Sequence, residues 1–187
     1  MITLQSTTLH ALGTHIKLTV FGELDTVALT AAENLINQEE DRLTVNRAVS
    51  EVMAVNAAAG VEAVVVSSGT FRLIRQAIAA SREDFGFNAL IGPLVKLWKI
   101  GFDGANVPSD AEVQQRLALC DPEMVQLDAQ THEVKLLARG MELDLGGIAK
   151  GDIANQIHYW CLACNVLAGS MLFAVTFLLL GDFPCLS

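Results

Sequence analysis

The densest chemistry in this sequence lies at residues 144–151, Asp-Leu-Gly-Gly-Ile-Ala-Lys-Gly. Adjacent glycines let a ligand approach the backbone closely, because no Cβ stands in the way. A helix opening just beyond them offers N–H groups and the positive end of its dipole to an anion. Lys150 adds a full charge one turn in, and Asp144 can accept hydrogen bonds from a base or a ribose. Together they describe a cradle for a nucleotide phosphate. They also describe an ordinary strand-to-helix turn in a core, and the segment alone leaves both readings open.

Other chemical patterns are thinner. Cys161-Leu-Ala-Cys164 has C-x-x-C spacing, but no second pair or histidine cluster accompanies it, so zinc is not expected. Histidines 10, 15, 132 and 158 have no metal-ligand spacing. No nucleophile elbow, P-loop or dinucleotide fingerprint is present.

The elements that must position the 144–151 turn follow from periodicity. Leu9 to Phe21 alternates around Gly13 and reads as a strand broken there. Thr26 to Leu43 has apolar residues at 29, 32, 35 and 36, a helical face, with Asp25 or Thr26 as cap. Ser50 to Asn56 reads as a short helix, and Ser67 or Ser68 caps a longer one over Thr70 to Arg82. Leu94 to Trp98 reads as a buried segment, and Gly101 to Pro108 as a loop. Ser109 with Glu112 is a capping box opening a helix to about Leu119. Met124 to Leu127 and Glu133 to Leu137 read as strands joined by a turn. Met141 to Leu145 reads as a strand ending at Gly146-Gly147, with a helix from about Ile148. Strands and helices mix without clean alternation, which predicts α+β.

The chain has 187 residues and a formal net charge of -9. That balance argues against a nucleic-acid groove. The charge is uneven: all 12 Lys and Arg lie at or before Lys150, and Ile153 to Gly181 contains no Asp, Glu, Lys or Arg. The first ten residues have neither a basic segment nor a long apolar one, which reads as a cytoplasmic start. Cys120 is alone ahead of the tail, so no disulfide framework is implied.

DLGGIAKG resembles the signature of the ApbE family of FAD:protein FMN transferases, also described as thiamine biosynthesis lipoprotein ApbE-like. Other blocks fall in that family's order. Leu12-Gly13-Thr14 resembles its Met-Gly-Thr, and residues 43–56 resemble its segment ending in Ser-Glu…Asn. Residues 85–98 resemble its Gly-Ala-Phe-Asp…Gly-Pro-Leu-Val…Trp block, and Val107-Pro108-Ser109 its Val-Pro-Ser. The resemblance implies the amino-terminal portion of a layered α/β domain over residues 1–157, with an apolar tail at 158–187.

It further implies Mg²⁺-dependent transfer of FMN from FAD to a threonine of a flavin-accepting partner protein. Leu12 would stand where the family's methionine packs on the flavin, and Asn46 where many members have tyrosine. Gly86, Phe87 and Asn88 would hold the flavin nucleotide in place of Ala-Phe-Asp. Asp144 and Lys150 would contact FAD, and the carbonyl of Gly147 would be one magnesium ligand. No residue is assigned as the catalytic base. Asn46, Gly86, Asn88, Asp152 and Asn155 depart from the commonest pattern.

The family's later blocks, including an Asp and Thr pair that completes the magnesium site, have no counterpart after Tyr159. Three origins fit the tail. It is an out-of-frame translation, a native helix and strand, or a membrane segment over Trp160 to Leu180, long enough to span. The alternatives to the transferase are therefore a non-catalytic flavin- or nucleotide-binding fragment and a tail-anchored, membrane-associated protein.

Overall fold

The computed structural model describes residues 4–21, 26–45, 49–83, 85–99 and 107–163. The chain divides into two compact units, Met1–Gln38 with Ile153–Ser187, and Glu39–Asp152. Each has its own core.

In the first unit, strands β1 (Leu4–Ala11) and β2 (Thr14–Phe21) form an antiparallel hairpin. The expected single strand with a break is thus two strands, turned at Leu12 and Gly13. Both turn residues have positive φ, 54° and 69°, the twist that suits a two-residue hairpin. Alternation sends Leu9, Ala11, Ile16 and Leu18 to one face, and Thr8, His10, His15 and Lys17 to the other. Helix α1 (Thr26–Leu43) brings Leu29, Ala32 and Ile36 onto the apolar face. Ile153 and Ile157, one turn apart on helix α6 (Gly146–Ala163), complete that cluster.

The second unit is built on a three-stranded antiparallel sheet in the order β3 (Val64–Val65), β5 (Glu133–Leu136), β4 (Val125–Asp128). Helix α3 (Ser68–Arg82) lays Phe71, Leu73, Ile74, Ala77 and Ile78 into the core at helical spacing. Short helix α2 (Glu51–Ala57) adds Val52 and Val55. Helix α4 (Gly92–Trp98) buries Gly92 and Pro93, while Leu94 is partly buried and Trp98 lies at the surface, so the burial expected over 94–98 falls on the two residues before it. Helix α5 (Asp110–Leu117) opens on the expected capping box, with Ser109 Oγ accepting from the Glu112 N–H and the Glu112 carboxylate accepting from the Ser109 N–H. The expected loop at 101–108 falls mostly outside the described residues.

Residues 141–145 alternate as a strand would, with Met141, Leu143 and Leu145 buried. They join no ladder. The Leu143 backbone pairs with the side-chain amide of Asn56, and the Asp144 N–H donates to the carbonyl of Ala89 at 2.8 Å. A side chain and a loop carbonyl stand where neighbouring strands were expected. Among the described residues no helix is long and apolar enough to cross a membrane. The apolar run at 160–180 lies largely outside them.

Candidate functional site

The 144–147 turn begins at Asp144, whose Oδ1 accepts from the Gly146 N–H at 2.8 Å. That bond caps α6, which therefore starts at Gly146, two residues earlier than the sequence suggests. The N–H groups of Ile148 and Ala149 both turn back to the carbonyl of Leu145, at 3.0 and 2.8 Å. Of the first-turn donors, Gly147 N–H alone has no acceptor among the described residues. The cradle is narrower than a bare helix end, because the protein uses most of its own donors.

Phe87 lies against this turn. A Cβ built on Gly147 would stand 3.1 Å from Phe87 Cε2, so the missing side chain is what lets the ring sit there. Phe87 is half-buried and packs on the core of its unit. The 86–90 loop is tied to the turn a second time through Ala89, whose carbonyl receives Asp144 N–H and whose N–H donates to Ser81 Oγ at 2.9 Å. Gly86 is exposed with φ +80°, a conformation L side chains rarely adopt.

Asn88 organises its own loop. Its Nδ2 donates to the carbonyl of Cys120 at 2.7 Å, and its Oδ1 accepts from the Leu90 N–H at 2.8 Å. Both ends of the amide organise the loop. Burial pushes the nearby Cys120 thiol above its ordinary value.

Lys150 is half-buried one turn into α6. Two residues on, Asp152 takes a two-pronged bond from Arg72 of α3, at 2.7 and 2.9 Å. This bond, with burial opposing it, raises the Arg72 guanidinium above its usual range. Leu12 belongs to the other unit, where it forms the hairpin turn and packs on that unit's cluster. Asn46 lies outside the described residues. The site therefore brings together Phe87, Asp144 and Gly147, with Asn88 supporting from behind. Asn56 and Ala89 hold the turn and were not singled out from sequence. Their signal was only the Asn that ends the Ser-Glu…Asn block, since a backbone carbonyl leaves no trace in residue type.

Magnesium takes near-octahedral oxygen ligands, commonly including carboxylates. Among the described residues no group of three His, Cys, Asp or Glu could hold a metal ion. One carbonyl, at Gly147, does not make that ligand set, and the described residues by themselves do not fit the ion.

The fold and turn define a mixed helix-and-strand domain with a glycine-opened, carboxylate-capped helix start. The profile of the ApbE family matches residues 12–168, and the chain belongs to that family. It is 55% identical over 125 residues to an FAD:protein FMN transferase of Klebsiella pneumoniae, a stretch covering 66% of this chain and 40% of the relative. It is 40% identical over 136 residues to one of Treponema pallidum, covering 70% and 38%. The crystal structure of the ApbE protein of Thermotoga maritima superposes with a TM-score of 0.80 at 25% identity, over 86% of this chain and 53% of that one. The chain thus spans about 40% of the length of these curated relatives.

Proposed function

We propose that this chain carries the flavin-binding part of an FAD:protein FMN transferase. The observation that supports this most is the Phe87 ring lying on Gly147 beside the Asp144-capped start of α6. An aromatic face, a donor-bearing helix start and a carboxylate suit a flavin nucleotide's ring, phosphate and sugar in turn. In this reading FAD is the substrate, and Asp144, Lys150, Gly86 and Phe87 position it; Leu12 and Asn46 are contacts on the family resemblance alone. Asn88 is a further contact, and it braces the loop that carries Phe87.

The reaction moves FMN to a threonine of a partner flavoprotein. The threonine oxygen forms a bond to the FMN phosphorus, the pyrophosphate bond to AMP breaks, and the hydroxyl proton leaves to a base. Magnesium supplies charge neutralisation in such transfers. The described residues do not assemble its ligands. The compartment we propose is the cytoplasm, with a membrane association through 160–180 tested by carbonate extraction of the full chain.

Titration of FAD by fluorescence quenching, with and without magnesium, tests the reading against an Asp144→Ala control. Saturable binding lost in the control supports it. A folded chain that ignores FAD overturns it. The second reading is a flavin-binding module without transfer. It predicts binding of FAD with no labelled product on an acceptor flavoprotein.

A further inference from the structure

The residues that shape the 144–147 turn are not all in it. Asn56, near the end of α2, treats Leu143 as a neighbouring strand would. Its Oδ1 accepts from the Leu143 N–H at 2.7 Å and its Nδ2 donates to the Leu143 carbonyl at 3.0 Å. The two residues are 87 apart in sequence. Leu143 is 1% exposed, so these backbone groups have no water to turn to, and an unpaired buried amide is costly. Asn is the side chain that fits. Asp lacks the donor, and Leu, of similar shape, lacks both groups.

The helix that delivers this amide is fixed at its other end. Seven residues of helix are marginal alone. Ser50 caps it, accepting from Met53 N–H at 2.9 Å and donating to the Thr44 carbonyl at 2.6 Å. Glu51 accepts from both the N–H and the hydroxyl of Ser67, at 3.1 and 2.9 Å, which moors α2 to the start of α3. The Ser-Glu…Asn block is therefore a strut: Ser and Glu fix its base, and Asn56 holds its tip on the residue before Asp144.

We propose that Asn56 is a positioning residue for the proposed flavin site, holding Leu143 so that Asp144 caps α6 and Gly147 meets Phe87. This rests on the flavin-binding reading above. Without the amide, Leu143 must shift to satisfy its backbone, and Asp144 moves with it.

The test compares the full chain with Asn56→Ala, Asn56→Asp and Val55→Ala, beside Asp144→Ala. Val55 is the adjacent core residue of the same helix, so Val55→Ala reports plain destabilisation of α2. FAD affinity and amide exchange at 144 and 146 are read well below each melting point. Asn56→Ala, which loses both bonds to Leu143, is expected to weaken FAD about tenfold or more, the factor of at least one buried hydrogen bond. It should also speed exchange at both amides, with Asn56→Asp acting in the same direction. Val55→Ala should lower the melting point yet leave affinity within about twofold, well short of the energy of one hydrogen bond. If Asn56→Ala binds FAD like the parent while Asp144→Ala does not, the positioning role is wrong and the flavin reading stands. If the parent binds no FAD, the flavin reading fails, and exchange decides: faster at 144 and 146 in Asn56→Ala only upholds the strut, and equal rates in Val55→Ala overturn it.

Discussion

At the scale of single residues, Asn88 shows how one residue type can serve two chemistries. An asparagine in a loop can offer its amide to a ligand or spend it on the backbone, and nothing in the letter separates these. Here each end makes one bond to the backbone, to Cys120 and Leu90, and each keeps one further hydrogen-bonding position. Asn88→Ala removes both bonds from a partly buried loop and is expected to destabilise the chain by about 1–3 kcal/mol, measured by urea denaturation. Asn88→Asp should not rescue it, because it keeps the acceptor for Leu90 N–H but faces the Cys120 carbonyl with a carboxylate. A neutral result for Asn88→Ala would mean the amide is available to a ligand after all. Asp144 and Gly147 stood out in the sequence by type and spacing. Two glycines and a carboxylate at a helix start have few physical uses, and the structure realises one of them as a cap.

At the scale of elements, what the sequence revealed depended on whether the determinant was local. The helix over Thr26–Leu43 and the Ser109–Glu112 capping box depend on residues within a few positions, and both were readable. The hairpin was misread because its turn is Leu12-Gly13 instead of the Asn-Gly or Asp-Gly that announces positive φ at both positions. The 141–145 strand was misread because its partners are a side chain and a loop, which periodicity cannot report. The α5 cap also carries a pH signature. The Ser109 hydroxyl, then its N–H, holds Glu112 below the ordinary glutamate range. A depressed carboxylate stabilises the folded state above its unfolded pKa, and that contribution is lost as pH falls through the lower folded value. Carboxyl NMR titration should find Glu112 low in the parent and closer to its ordinary value in Ser109→Ala, which loses the hydroxyl and keeps the N–H. An ordinary value in the parent would show that the box is not formed.

The clamp between α3 and α6 makes a second element-scale prediction. Arg72 keeps 41% of its side chain exposed, and Asp152 only 10%. Asp152→Ala frees a guanidinium that water can reach, at about 1 kcal/mol. Arg72→Ala takes the fork away from a largely buried carboxylate and should cost more. Denaturation midpoints of the two variants test the order. Equal losses would mean that Asp152 is satisfied without the fork.

At the scale of the whole molecule, the sequence placed the family correctly from ordered blocks, while the proposed flavin contacts rest on a geometry spread through 86–90, 56 and 143–150. A ligand that binds there must stabilise the folded chain by mass action. At 100 times its Kd, FAD would add about 2.7 kcal/mol. For a chain of this size that is a rise in melting temperature of roughly 5–10 °C. Asp144→Ala should lose the rise, and because it also gives up the acceptor for Gly146 N–H it should melt a few degrees below the parent in buffer alone. Riboflavin, which has the ring without the pyrophosphate, separates the two halves of the site. If the helix start of α6 contributes through Gly147 N–H and Lys150, riboflavin should shift the melt far less than FAD. An equal shift from riboflavin would place the binding energy on Phe87 and the flavin ring, and would remove the phosphate cradle from the mechanism.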